Sequence, residues 1–165
     1  MSARFRQLVD QHQDQVWTLA RYLLKDPAEA EDVAQETFEK LWHHQHDVDP
    51  ERVRPWQMRV TRNACQDRIR RRRPEEPVDE ERETASDAPV RDPAGDAERA
   101  ELGRWLQRAI AGLREPYRSL VVLRDVHQHS YEEVAGALEL SLAQVKVYLH
   151  RARKQLREQL AEVAP

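Results

Sequence analysis

This sequence predicts an all-α fold, two small helical domains joined by a flexible acidic linker, and three observations carry that prediction. Apolar residues recur at three- and four-residue spacing in several separate stretches, and nowhere alternate at period two over the length of a strand. Only 4 glycines occur in 165 residues, which leaves little material for hairpins or phosphate-cradling loops. Between the periodic stretches lies one segment, residues 74–101, with four prolines, eleven acids and almost no large apolar side chain. Such a segment buries too little surface to offset its ordering entropy.

The elements follow in order. Phe5, Leu8, Val9, Val16, Leu19, Ala20 and Leu23 fall on one helical face, with His12 in the open slot of the stripe. Asp26-Pro27 reads as an N-cap followed by proline in the first turn. A second stripe then runs Ala30, Val33, Ala34, Thr37, Phe38, Leu41, Trp42, with Glu29, Asp32, Glu36, Glu39 and Lys40 opposite. Residues 43–54, holding Asp49-Pro50, break the period and predict a loop with a short helical turn. Pro55 opens a third helix through Trp56, Val60 and Ala64 that ends in a basic run from Arg68 to Arg73 and stops at Pro74.

After the linker, Leu102, Trp105, Leu106, Ala109, Ile110 and Leu113 form another stripe, and a helix begins near Pro116 with Tyr117, Leu120, Val121 and Leu123. Ser130 caps a short helix, with Glu133 three residues on as in a capping box, and Tyr131, Val134, Ala135 and Leu138 form its inner face. Glu139-Leu140 interrupt it, Ser141 caps again, and the last helix is expected to bury Leu142, Val145, Leu149, Ala152 and Leu156. A short capped helix, a tight turn and a long basic helix are the sequence form of a helix-turn-helix. The expected domains are residues 1–73 and 102–165, with 74–101 between them.

Charge is segregated along this frame. Hydrophobic residues are 39% and charged ones 35%, lean for one large core but ordinary for small bundles with wide solvated faces. The net charge of -3 conceals blocks of -6 (residues 1–51), +8 (52–73), -8 (74–101) and +3 (102–165). Blocks of opposite sign present different surfaces to partners of different charge. No stretch approaches the roughly 20 apolar residues of a membrane span, and no signal-like run is seen, so a cytoplasmic protein without membrane insertion is expected. The single Cys65 excludes an internal disulfide framework.

Two basic surfaces stand out. With Val145 at the centre of the buried face of the last helix, Lys146, Val147, His150, Arg151 and Lys154 project outward, suited to phosphates and base edges in a major groove. In the third helix, Trp56, Arg59, Arg62, Asn63 and Asp67 recur at helical spacing ahead of Arg68, Arg70, Arg71, Arg72 and Arg73. Aromatic rings stack unpaired bases and asparagine can bond a base edge, although a core tryptophan and a solvated basic face are the plainer readings.

The sequence Ala30-Glu31-Asp32-Val33-Ala34-Gln35-Glu36-Thr37-Phe38, continuing to Leu41-Trp42, resembles the core-polymerase-binding helix of the sigma-70 family. Pro55-Trp56, Val60-Thr61-Arg62-Asn63 and Asp67 to Arg73 resemble that family's promoter-melting helix. Ser130-Tyr131-Glu132-Glu133-Val134-Ala135, Val145-Lys146 and Leu149 to Leu156 resemble its C-terminal helix-turn-helix. The three stretches stand in family order, and the short chain is similar to the extracytoplasmic-function (ECF) subgroup.

That resemblance implies a sigma factor that binds core RNA polymerase and directs promoter-specific initiation. It implies docking of Glu31, Asp32, Gln35, Glu36 and Phe38 on the clamp helices of the largest subunit. The −10 element falls to Trp56, Arg59, Arg62, Asn63, Arg68, Arg70 and Arg71, with Asn63 matching a base pocket and the linker threading the nucleic-acid channel. The −35 element falls to Gln144, Lys146, Val147, Tyr148, His150, Arg151 and Lys154, with the flap as a second contact. An anti-sigma factor is implied as a further partner, and the free protein is expected to be a monomer. Ala143-Gln144 and Val147-Tyr148 depart from the family pattern, and Glu139 replaces a frequent glycine in the turn. These changes leave the −35 sequence open, and Tyr148 sits near the core boundary.

Other readings account for less. His43, His44 and His46 with Cys65 raise a metal or redox sensor, but the run lacks a paired ligand at a recognised spacing, so no metal and no cofactor are expected. No P-loop, dinucleotide fingerprint, His-Glu-x-x-His or nucleophile elbow is present, which argues against an enzyme. An operator-binding regulator independent of polymerase needs only the C-terminal module and leaves the acidic helix unexplained.

Overall fold

The structure is a computed structural model that describes residues 1–72 and 97–163. Its described residues are helical with no strand, and the chain divides into two compact units. The interval 73–96, most of the expected linker together with Arg73, lies outside them.

The N-terminal unit holds α1 (Ala3–Leu24), α2 (Pro27–His44), a 3-10 turn (Pro50–Arg52) and α3 (Val53–Arg72). Ser2 Oγ caps α1 by accepting the Phe5 amide at 3.2 Å, and Lys25 closes it in the left-handed region at φ 60. Asp26 caps α2 by accepting the Ala28 amide at 2.9 Å, with Pro27 in the first turn as expected. The three helices pack around Val16, Leu19, Ala20, Val33, Leu41 and Met58. Polar groups enter this core too. Thr37 Oγ1 donates to Val33 O at 2.9 Å, Thr61 Oγ1 to Gln57 O at 2.7 Å, and the two hydroxyls meet at 3.3 Å. Trp42 leaves the expected stripe, being 40% exposed, with its ring meeting Phe5 edge-on at 4.9 Å.

The C-terminal unit holds α4 (Ala97–Ala111), α5 (Tyr117–Val121) running into a π-helical turn (Val122–Val126), α6 (Tyr131–Leu138) and α7 (Leu142–Val163). Ile110, Leu113, Leu120, Val121, Leu123, Val134, Leu138, Val145, Leu149 and Ala152 form its core. The capping box at α6 is present in both directions: Glu133 N–H donates to Ser130 Oγ at 3.1 Å and Ser130 N–H to Glu133 Oε1 at 3.3 Å. The α6–α7 turn passes through Glu139 at φ 57, a conformation that glycine takes without steric cost.

Four expectations need correction. Residues 97–101, expected as the end of the linker, are the first turn of α4, where Ala97, Glu98, Ala100 and Glu101 are compatible with a helix. Leu142, expected in the core, is 43% exposed, because it opens α7 beyond the surface that covers Val145. Leu102 and Leu106 are likewise exposed, since α4 buries only Ala109 and Ile110 in its final turns. On α6 the inner face is Val134, Ala137 and Leu138, with Tyr131 and Ala135 half-buried at its edges.

Candidate functional site

The acidic surface lies on α2. Helix periodicity buries Ala30, Val33, Thr37 and Leu41 and so turns Glu31, Asp32 and Gln35 to solvent, with Glu36 and Phe38 half-buried beside them. Glu36 pairs with Lys40 at 3.0 Å. Against this face runs a groove of about 410 Å³ whose other wall comes from α1: Val9, Gln13, Asp14 and Trp17. Asp14 extends the negative rim, and Trp17 supplies a half-buried aromatic floor. Neither was expected at a site, because nothing in linear spacing says that α1 lies alongside Glu31 and Asp32. A second groove, lined by Met1, Phe5, Phe38, Trp42 and His43, shares Gln35 and Phe38 with the first.

The second surface is α3. Its buried residues Gln57, Met58, Thr61, Ala64 and Cys65 define the inner side. At roughly 100° per residue, Arg59, Asn63 and Arg70 fall within about 60° of Trp56 on the outer side, whereas Arg62 lies about 120° away on one flank and Arg68 about 120° the other way, on the side of the buried residues. Burial agrees: Arg59, Asn63, Arg70 and Arg71 are exposed, and Arg62 and Arg68 are half-buried. The candidate residues thus divide into an outer row, Arg62 on a flank and Arg68 toward the inner side. Trp56 is half-buried, packed on the Phe5, Leu41 and Val53 cluster. It also walls a cavity of about 440 Å³ with His44, Asp47, Val48, Asp49 and Arg52, so it serves core and surface together. Ion pairs thin the basic run, since Arg72 pairs with Glu29 of α2 and Arg70 lies 3.6 Å from Asp67. Cys65 is buried inside α3 while His43, His44 and His46 are on the surface, so that constellation does not converge.

The third surface is α7. Burial of Val145, Leu149, Ala152 and Leu156 leaves Lys146, Val147, His150, Arg151 and Lys154 exposed, Val147 at 47%. Tyr148 is half-buried, with its ring edge-on to Tyr117 at 5.9 Å and the Arg151 guanidinium 5.9 Å from its centroid. It packs and orients a cation more than it presents itself. Gln144 is exposed, but its side chain is engaged: Ser141 N–H donates to Gln144 Oε1 at 2.9 Å and Gln144 N–H to Ser141 Oγ at 3.1 Å. Arg153 is turned away from the outer face, held by Asp125 through two bonds of 2.5 and 3.1 Å. That clasp ties α7 to the π-helical turn and fixes the helix that carries the cationic row.

A helix with an acidic exposed face, a basic helix with an aromatic side chain near its start and a helix-turn-helix are the parts of a two-region transcription initiation factor. The Sigma-70 region 2 family model matches residues 8–75 and the Sigma-70, region 4 model matches residues 103–156. The chain is 37% identical to the ECF RNA polymerase sigma factor SigE of Mycolicibacterium smegmatis, over 94% of this chain and 61% of that relative. It is 30% identical to the ECF RNA polymerase sigma factor SigW of Bacillus subtilis, over 96% of this chain and 90% of that one. A structure of CnrH in complex with the cytosolic domain of CnrY matches with a TM-score of 0.70 at 28% identity, over 97% of this chain and 89% of that chain. The chain belongs to the sigma-70 family of RNA polymerase sigma factors, in its ECF subgroup.

Proposed function

We infer that this chain binds core RNA polymerase and directs promoter-specific transcription initiation, as a DNA-recognition subunit without catalysis of its own. The observation that carries the reading is the separation of sign. Exposed carboxylates on α2 suit a basic protein surface, and exposed cations on α3 and α7 suit DNA. In this reading the N-terminal region, residues 1–73, docks on the polymerase clamp helices through Glu31, Asp32, Gln35, Glu36 and Phe38. Its α3 engages the −10 element, where Trp56 and Asn63 meet an unpaired base and Arg59, Arg62, Arg68, Arg70 and Arg71 hold the strand. Extracting a base costs a few kcal/mol, which stacking worth about 1–3 kcal/mol per base offsets. The C-terminal region reads the −35 element through α7 and touches the flap.

The partners named for solved relatives support one more assignment. CnrH was captured with the cytosolic domain of CnrY, and an RpoE with the anti-sigma factor NepR from Bartonella quintana. An anti-sigma factor is therefore proposed here too, binding a chain that is otherwise monomeric and cytoplasmic. No described helix is long and apolar enough to cross a membrane. A polymerase-independent operator binder leaves the α2 carboxylates without a role.

The test is in vitro transcription with purified core enzyme on linear promoter DNA. Initiation should depend on the added chain, and Asp32→Arg with Glu36→Arg should weaken core binding at least tenfold while helicity by circular dichroism is kept. Unchanged core affinity in a folded variant sinks the α2 assignment.

A further inference from the structure

Resting on the reading of α7 as the −35 helix, we infer that Gln144 is a specificity-determining residue whose amide, held by its oxygen in a helix cap, turns its amino donors to a base edge and so selects guanine over adenine. Ser141 is the N-cap of α7 and Gln144 stands three residues on, at the place a capping box uses. Both arms of that box are formed, at 2.9 and 3.1 Å. A backbone N–H can only donate, so the amide atom facing Ser141 is the oxygen. The cap thereby holds Oε1 toward Ser141 and leaves the Nε2 amino group, with its two donors, as the other end of the amide.

The consequence is chemical. An unrestrained glutamine reads adenine bidentately, donating to N7 and accepting from the N6 amino group. The Ser141 bond takes one of the two lone pairs of Gln144 Oε1 and holds that oxygen toward the helix end, so at adenine the Nε2 donors are the nearer group to confront the N6 amino donor. Guanine presents two acceptors, O6 and N7, to the same amino group. The position suits base contact, because the first residues of a recognition helix approach base edges. Around the helix, Gln144 lies within about 20° of Arg151, two turns away, so both address one groove edge.

The same chain supplies the control. In its other box Ser130 N–H donates to a glutamate, Glu133, at 3.3 Å. Gln144→Glu therefore keeps the cap and removes the donors, whereas Gln144→Ala removes both. Holoenzyme carrying each variant is measured for binding to promoter libraries randomised through the −35 element, beside Lys146→Ala and Arg151→Ala, with melting temperatures recorded.

Wild type is expected to favour guanine over adenine at one position by about three- to tenfold, the worth of a single hydrogen bond. Both Gln144 variants should erase that preference there, while Gln144→Glu keeps the wild-type melting temperature and Gln144→Ala lowers it. Adenine preferred at the responding position overturns the inference, since the amide would then be reading bidentately with its cap released. So does the absence of any position that responds to Gln144 while others respond to Lys146 or Arg151, and the reading of α7 then survives. If no −35 position responds to any of these variants, the reading of α7 fails and the inference falls with it.

Discussion

The two basic helices of this protein are constructed on different principles. The buried positions of α7 are apolar throughout: Val145, Leu149, Ala152 and Leu156. Those of α3 include Gln57 and Thr61 at 0% exposure beside Met58 and Cys65. Outside, α7 turns Lys146, His150 and Arg151 to solvent, with Arg153 held by Asp125 and Lys154 4.0 Å from Glu158, while α3 has Arg54 bonded to Gln15, Arg70 beside Asp67 and Arg72 paired with Glu29. A helix whose inner face is uniformly greasy is fixed by burial and leaves its outer face available for contact. A helix whose inner face is mixed depends on local polar bonds and on neighbours that claim some of its cations.

The sharpest way to break this contrast is truncation. Leu149→Ala, at a site 1% exposed, should cost about 2–5 kcal/mol through lost transfer energy and the cavity left behind. Urea unfolding followed by circular dichroism measures it. At the matching depth in α3, Gln57 has both amide atoms buried without a hydrogen-bond partner among the described residues. Gln57→Met should then be neutral or stabilising by up to about 2 kcal/mol, because an unsatisfied buried amide is exchanged for apolar contact. A loss as large as that of Leu149→Ala would mean that the Gln57 amide is satisfied and that the contrast between the helices is wrong.

A smaller effect probes the turn before α7. Glu139 holds φ 57, which costs an L-residue about 1–2 kcal/mol and glycine almost nothing. Glycine also has more freedom to lose on folding, so Glu139→Gly should raise stability by less than about 1 kcal/mol, visible as a small rise in melting temperature. The smallest effect belongs to the N-terminal unit and to pH. Burial first, and Arg54 second, lower the pKa of His12 below its ordinary 6.5. The unfolded chain then binds more protons below 6.5, so the stability held above that pH drains away as pH falls from 6.5 toward the lowered folded value. His12→Gln should flatten that slope, and denaturation midpoints at several pH values would detect it.

This contrast also explains what could be read from residues alone. Every helix of α1, α2 and α4 to α7 was legible from apolar spacing, and Asp26, Ser130 and Ser141 marked their starts as caps. Helix α3 was legible from Pro55, from Trp56, Val60 and Ala64 and from the basic run, but not its inner face, which Gln57 and Thr61 hide behind polar letters. Leu142 is expected in the core, and Leu102 and Leu106 on an apolar stripe, yet all three are exposed, because periodicity reports an angle around a helix and says nothing about whether a neighbour covers it. The outward direction of Lys146, His150, Arg151 and Lys154 was legible by the same angle. Asp14 and Trp17 beside the α2 face were not, because that groove is made by packing two helices. The cap that engages Gln144 was half-visible: Ser141 was recognised and its reciprocal partner was not.

The clasp of Arg153 by Asp125 has a thermodynamic consequence. Helix α7 carries five lysines and arginines, namely Lys146, Arg151, Arg153, Lys154 and Arg157. A cation already neutralised within the fold displaces no condensed counterion when a duplex arrives. Each phosphate that is neutralised contributes about −0.9 to the slope of log affinity against log salt. The ionic-strength dependence of this module on DNA should accordingly register fewer ions released than its basic residues number, and Asp125→Ala should steepen it by no more than about 0.9, the share of one phosphate contact.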